Sequence, residues 1–490
     1  MKRTSRREFL KAAGLLGAGT WPALSRAGGG RFFGIQDSSS KSVRKPNIIL
    51  ILGDDRGHSE LGCYGQQTIR TPNIDALAGG GLRFTQAYSG SPVCAPSRCV
   101  LLTGTHSGHA FIRDNREIQP EGQLAIPRDS VTLPKLLKAA GYAAGCVGKW
   151  GLGPPGSEGD PNKQGFDFFF GYNCQRHAHN HYPAYLWRND KKVAIEGNIG
   201  GPTGKHYAPD LFETEALEFI EANKGRPFFL FFATTVPHLA LQVPDDSLAE
   251  YKGLWNDPPY DGKNGYLPQK YPRAAYAAMV TRMDRSVGRI AALVKRLRLD
   301  NDTLILVTSD NGSTYDIGGY DPAFFGGTGP FRSAKGSIYE GGIRIPLIAR
   351  WPGRIKPGGA SEGIVAFQDI LPTFLAAAGA KGAVPIDVDG MSFLPVLFGA
   401  AAPPRHAHLF MEFAGYGGQV MARLGNWKGV RKDLLKNPDA PLELYDLAAD
   451  IGEKTNVASK HPDVVKRITE IMTSEHRPSK EFPIPALDPK

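Results

Sequence analysis

Two apolar runs that end in carboxylates constrain the fold of this chain more than any other feature. Residues 48–52 (Ile-Ile-Leu-Ile-Leu) pass through Gly53 into Asp54-Asp55, and residues 303–309 pass into Asp310-Asn311-Gly312. Runs of this length without polar alternation read as strands buried on both faces, and such strands belong to sheets that carry helices on either side. Further runs at 143–147, 228–233 and 345–349 read the same way, with helical periodicity between them at 133–140, 211–222, 276–297 and 369–378. The alternation predicts an α/β fold, a large mostly parallel sheet sandwiched by helices. After the Gly/Ala/Pro-rich stretch 379–385 the texture changes to short segments at 409–413, 420–424, 427–430 and 442–446, then one helix at 462–474. This tail reads as a smaller C-terminal antiparallel sheet plus helix, which sets domain limits at 46–384 and 385–490.

Composition narrows the function. The 490 residues carry a net charge of +10, but six basic residues against Glu8 alone fall within the first 27, leaving +5 for the rest. No Lys/Arg block follows residue 45, so nothing marks a nucleic-acid surface, whereas a mild positive excess suits a small anionic substrate. Cys63, Cys94, Cys99, Cys146 and Cys174 match neither a disulfide framework nor a paired zinc spacing. No apolar run reaches the roughly 18 residues of a membrane span.

The N-terminus carries an address. Ser5-Arg6-Arg7-Glu8-Phe9-Leu10-Lys11, an Ala/Gly-rich, weakly apolar segment to Leu24 and the small-residue site Ser25-Arg26-Ala27 together resemble a twin-arginine signal peptide, residues 1–27. That resemblance implies export of the folded protein by the twin-arginine translocase, to the periplasm or beyond. Residues 28–45, rich in Gly, Ser and basic side chains, read as a linker.

Ligands of open α/β sheets gather at the carboxyl ends of the strands. Asp54, Asp55, Asp310 and Asn311, brought to one edge, make an all-oxygen cage of the kind that calcium or magnesium prefers. Each pair alone is better read as a turn or a helix N-cap. The run Cys94-Ala95-Pro96-Ser97-Arg98 shifts the balance, because it resembles the signature of the formylglycine-dependent sulfatases of the alkaline phosphatase-like superfamily, in which a Cys followed by x-Pro-x-Arg is oxidised to formylglycine. The likeness continues in order through 46–55, 71–77, Gly148-Lys149-Trp150, Pro237-His238, 309–312, Lys335 with 340–346, and Leu444-Tyr445-Asp446-Leu447. It spans nearly the whole mature chain.

The resemblance implies an exported sulfatase that hydrolyses sulfate monoesters of sulfated carbohydrates. A formylglycine-generating enzyme would act on Cys94 during maturation, and a calcium ion would be held by Asp54, Asp55, Asp310, Asn311 and the modified Cys94. Arg98 would steady the hydrated aldehyde, Lys149 and Lys335 would clamp sulfate oxygens, and His238 would protonate the leaving oxygen. A sulfate monoester is an anion that repels anionic nucleophiles. The site must therefore neutralise its oxygens, present a nucleophile in line and protonate the departing alkoxide.

One position departs from the family pattern. Two residues after the Lys of Gly-Lys-Trp the family places a His that touches the formylglycine hydrate, and this chain has Gly151. The polar, aromatic loop 173–187 offers His177, His179 and His181 as substitutes. His177 and His179, spaced like alternate residues of an extended loop, are expected to face one side and meet the substrate. The His-rich tract also suits a zinc site or a solvated loop. Two alternatives stay open: a phosphodiester or phosphonate monoester hydrolase of the same superfamily, and a non-catalytic binder of sulfated glycans.

Overall fold

The computed structural model describes residues 44–400 and 406–488, so the leader and all but the last two residues of the linker lie outside it. Its main sheet has eleven strands: β1 (Asn47–Gly53), β2 (Leu82–Tyr88), β3 (Ala143–Lys149), β4 (Phe168–Tyr172), β5 (Tyr185–Arg188), β6 (Lys191–Ala194), β7 (Phe228–Ala233), β8 (Thr303–Ser309), β9 (Arg344–Arg350), β10 (Gly359–Ser361) and β11 (Val365–Ala366). The order across the sheet is β10-β2-β9-β8-β1-β7-β3-β4-β5-β6, with β11 also pairing with β2. The central strands β8, β1, β7, β3 and β4 run parallel, while β9 lies antiparallel between β8 and β2 and the β5–β6 hairpin closes the other edge.

Alternate residues of the apolar runs feed two separate cores. Ile48, Leu50, Leu52, Phe229, Phe231, Leu304 and Leu306 pack on one face, and Ile49, Ile51, Leu230, Phe232, Ile305 and Val307 on the other, all essentially inaccessible. Each such side chain contributes about 1.5–3 kcal/mol on burial, which explains why the stretches 48–52, 228–233 and 304–307 carry no polar residue on either face. Helices Cys94–Thr103 and Ile370–Ala377 supply the first core, and helices Ala208–Asn223 and Pro272–Arg296 the second. The expected α/β sandwich is thus observed.

The tail is the expected antiparallel sheet, β12 (Leu409–Phe413), β13 (Gln419–Leu424), β14 (Trp427–Arg431) and β15 (Glu443–Asp446), paired in chain order. Helix Pro462–Ser474 packs on β13 and β14, burying Val464, Ile468 and Met472. Val420, Ala422, Leu444 and Ile468 belong to the same core as Leu50 and Phe229, so apolar packing is continuous from the large sheet to the small one. The sequence reading passes over β2, β4 and the β5–β6 hairpin. β2 (Leu-Arg-Phe-Thr-Gln-Ala-Tyr) alternates between buried and half-buried positions for most of its length, and β6 is nearly all exposed, so neither shows a continuous apolar run.

Candidate active site

Register places the acids. β1 pairs with β8 in parallel as Leu52↔Thr308 and Gly53↔Ser309, so the next residue of each strand, Asp54 and Asp310, emerges at the same level. Ala233 at the end of β7 pairs with both Leu52 and Gly148, which brings Lys149 to that edge as well. Asp55 follows in the left-handed region (φ 64°), a conformation that Asp tolerates better than most side chains, and its N–H donates to Asp310 Oδ1 at 3.1 Å. Asn311 Nδ2 donates to Asp55 Oδ1 at 2.9 Å. Its own Oδ1 is buried and has no hydrogen-bond partner.

Cys94 is the first residue of its helix and is 2% exposed. Its Sγ lies 3.5 Å from Asp54 Oδ1 and 3.4 Å from Lys149 Nζ, and Lys149 Nζ donates to Asp54 Oδ2 at 2.7 Å. Arg98, one turn on, points its guanidinium at Asp310 Oδ2 (2.7 and 3.1 Å) and at the Lys149 carbonyl. Across the site Lys335 Nζ donates to Asp55 Oδ2 at 2.7 Å and reaches His238 Nε2 at 3.2 Å. His238 Nδ1 faces the Leu239 carbonyl, so in the neutral ring Nδ1 carries the hydrogen and Nε2 accepts from Lys335. The residues expected to share one site are therefore together.

The three carboxylates of this cluster respond unequally to burial and to their cations. Burial lifts the Asp310 carboxyl to about 6, and neighbouring Asp54 adds to the rise against the pull of Arg98. Burial also raises Asp55 despite Lys335, whereas for Asp54 the attraction of Lys149 and the other cations overcomes burial and holds the group well below the carboxylate range. The Cys94 thiol is pushed up to about 12 by burial, and His238 is driven well down by burial and by Lys335. Crowded carboxylates, an orphan amide oxygen and an all-oxygen donor set fit a hard divalent cation.

The histidine loop is not extended. Residues His177–His179 form a 3-10 turn, in which residues two apart are rotated by about 240°, so His177 and His179 diverge instead of sharing a face. His177 lies between the rings of Tyr172 and Tyr185 and reaches Glu121 Oε1 at 3.4 Å. His181 is fully buried with Nδ1 on Thr235 Oγ1 (3.0 Å) and Nε2 on the His238 carbonyl (2.9 Å), which holds the His238 backbone. Only His179 of the three flanks the centre, stacked on His238 with ring centroids 4.7 Å apart.

What fills the space beside Gly151 is Gln175. A β-carbon built at Gly151 would stand 1.9 Å from Gln175 Nε2. This residue escapes sequence reasoning because nothing local marks it; the glycine that makes room for it lies on a different strand end. Asn115 and Tyr266 are similarly missed: Asn115 Oδ1 accepts from the Ala95 N–H at 2.9 Å, and the Tyr266 ring lies 5.3 Å from that of His179. Elsewhere His106, His109 and Asp389 gather. There His106 Nδ1 accepts from Gly108 N–H, so its Nε2 keeps the hydrogen and donates to Glu475, the pattern of a hydrogen-bonded clasp.

Comparison with known proteins gives this arrangement a context. The family model described as Sulfatase matches residues 46–380, and that described as N-sulphoglucosamine sulphohydrolase, C-terminal, matches residues 331–477. The N-acetylgalactosamine-6-O-sulfatase of Bacteroides thetaiotaomicron is 31% identical over 90% of this chain and 95% of its own. The N-acetylgalactosamine-6-sulfatase of Canis lupus familiaris is 31% identical over 88% of this chain and 86% of its own. Among solved structures, Ps i-CgsB in complex with k-i-k-neocarrahexaose superposes with a TM-score of 0.76 at 29% identity, covering 89% of this chain and 94% of that one. A phosphonate monoester hydrolase of Agrobacterium radiobacter shares the fold at 20% identity and a TM-score of 0.62. With both parts of its sequence matched in order, the chain belongs to the sulfatase family of sulfuric ester hydrolases.

Proposed function

We propose that this sulfatase is exported and cleaves sulfate monoesters of carbohydrates, with Cys94 converted to formylglycine and calcium held by Asp54, Asp55, Asp310 and Asn311. The observation that carries the reading is the cage itself: three buried carboxylates and an unpartnered amide oxygen beside a cysteine at a helix start. A thiol raised to about 12 stays protonated at neutral pH and is a poor nucleophile, which argues for its replacement. The modified residue would supply a hydrated aldehyde, and the cation would supply positive charge against the substrate's oxygens.

The chain's own groups divide the remaining work. Lys149 and Lys335 stand on either side of the cage and meet the sulfate oxygens as the substrate enters. Lys335 and His238 hold a proton between Nζ and Nε2, and this pair delivers it to the departing alkoxide. Arg98, bound to Asp310 and to the Lys149 carbonyl, acts as a positioning residue for both. Relatives named for N-acetylgalactosamine sulfate, and a structural neighbour solved with a neocarrahexaose, support a carbohydrate substrate. The twin-arginine resemblance supports export.

Mass spectrometry of the Cys94 peptide from the native host should show the aldehyde. Metal analysis should find calcium that Asp54→Ala and Asp310→Ala lose. Unmodified cysteine together with no turnover of 4-nitrophenyl sulfate would sink the formylglycine reading, and metal content unchanged in both variants would place the cage elsewhere.

A further inference from the structure

Fully buried, His181 cannot meet the substrate, and both of its ring nitrogens are spent on the turn that carries His238. After β7 the chain turns over residues 235–238, where the His238 N–H donates to the Thr235 carbonyl at 3.1 Å. The Val236 carbonyl within this turn accepts from the Asp54 N–H at 3.3 Å, so the turn lies against the cage. The His181 ring bridges the two ends of the same turn from outside, 3.0 Å from Thr235 Oγ1 and 2.9 Å from the His238 carbonyl oxygen.

Chemistry fixes the direction of both bonds. A carbonyl only accepts, so Nε2 of His181 carries the hydrogen. Burial drives this ring down to about 4, so it is neutral at neutral pH and its Nδ1 accepts from the Thr235 hydroxyl. The bridge has a firm base: the His181 N–H donates to Gln242 Oε1 at 2.8 Å, and its carbonyl accepts at 2.8 Å from the N–H of Ala208, the first residue of helix Ala208–Asn223.

The carbonyl that His181 holds belongs to the peptide joining His238 to Leu239. The Leu239 carbonyl accepts from His238 Nδ1, which leaves His238 Nε2 turned to Lys335 at 3.2 Å. Without its donor the buried His238 carbonyl would be left unpaired, and its peptide would rotate to find a partner. That rotation moves the root of the His238 side chain and the oxygen that sets its tautomer together. A misplacement of about 1 Å at a reacting group costs on the order of 100-fold in rate.

We infer that His181 is a positioning residue for protonation of the leaving group: by bridging residues 235–238 it fixes the orientation and tautomer of His238 without touching substrate or cage. This rests on the sulfatase reading and goes beyond it by adding a residue that the reacting atoms never meet.

The test compares 4-nitrophenyl sulfate, whose leaving group departs without a proton, with phenyl sulfate, whose more basic phenolate needs one. His181→Phe keeps a ring and removes both bonds. Its kcat/KM for phenyl sulfate should fall about 10-fold further than its kcat/KM for 4-nitrophenyl sulfate. His181→Gln, whose amide offers both a donor and an acceptor, should bring that ratio back to within about 3-fold of wild type. In a His238→Ala background, His181→Phe should leave the ratio where His238→Ala alone puts it, because the effect runs through His238. Equal losses on both esters, no loss, a ratio that His181→Gln does not restore, or a further shift in the His238→Ala background would each overturn the inference. Should His181→Phe not fold, Thr235→Val decides by the same ratio: it removes the hydroxyl that steadies Nδ1, and a shift of about 3-fold is expected, an unchanged ratio refuting. Failure of the sulfatase reading looks different, since wild type would then turn over neither ester. 15N NMR of the histidine rings still settles the point. His238 should be a single Nδ1–H tautomer in wild type and a mixture of tautomers in His181→Phe, and an unchanged His238 ring would refute the inference.

Discussion

Two clusters of buried charge, one around Glu340 and one at the carboxyl edge of the large sheet, are built on different rules. Under the small sheet, Glu340 is completely served: Oε1 accepts from Lys428 at 2.9 Å, and Oε2 from Arg344 and from Tyr88, each at 2.8 Å. Burial would raise this carboxyl, but Lys428 and Arg344 overcome it and hold it at about 2. At the carboxyl edge of the large sheet, Asp310 and Asp55 are raised in spite of Arg98 and Lys335, and Asn311 Oδ1 has no partner. Asn173 and Gln175 nearby also bury amides without partners. Both clusters are equally dry, so burial does not separate them; under the small sheet the buried acids Glu340 and Glu453 both face Lys428 at 2.9 Å, whereas at the large sheet Asn311 Oδ1 faces no donor and is left for a ligand.

That contrast predicts opposite mutational signatures. Cys94→Ala should reduce turnover by a factor on the order of 10^4 or more while costing about 1 kcal/mol or less of stability, read by steady-state kinetics and urea unfolding. Lys428→Met should do the reverse. It leaves Glu340 buried with a deficit of positive charge, at a cost of about 3–5 kcal/mol, yet kcat per folded molecule should stay within about 2-fold. A Lys428→Met protein of unchanged stability but impaired catalysis would erase the distinction.

Position 151 tests the border between the two kinds of group. Gly151 has φ 84°, so an alanine there is strained by about 1–2 kcal/mol, and its β-carbon meets Gln175 Nε2 at 1.9 Å. The obstructing atom is the end of a flexible side chain, so Gln175 should swing aside. Gly151→Ala is therefore expected to lose about 1–2 kcal/mol, read by urea unfolding. A loss well above about 2 kcal/mol would show that Gln175 cannot leave its place.

How much of this was legible in the sequence follows from the range of each signal. Asp54, Asp55, Asp310 and Asn311 could be read because each sits at the end of its own apolar run, and parallel pairing fixes where such ends meet. Cys94 and Arg98 share one helical turn, so their spacing is local. Gln175 lies 24 residues from the glycine whose space it fills, and its position depends on β4 pairing with β3, which no periodicity announces. The divergence of His177 and His179 was hidden for a related reason: a polar loop has the same composition whether it is extended or coiled into a 3-10 turn.

The smallest effect belongs to a third charged group, intermediate in exposure. Glu475 accepts from His106 at 3.1 Å and from His408 at 3.0 Å, repeating the doubly served geometry of Glu340 where water has more access. The His106 hydrogen bond, opposed by partial burial, lowers its carboxyl to about 2. A carboxyl depressed by folding stabilises the native state above its unfolded value of about 4.5, and that contribution disappears as the pH falls through the folded value. The window is thus about pH 4.5 down to 2. Solvent screening at this partly open site limits the effect to under about 1 kcal/mol. Urea midpoints of wild type and Glu475→Gln should therefore differ slightly at pH 6 and converge as the pH drops through the window. A gap that widens on acidification would mean that the carboxylate is held by something other than His106 and His408, and that the clasp does not follow the rule of Glu340.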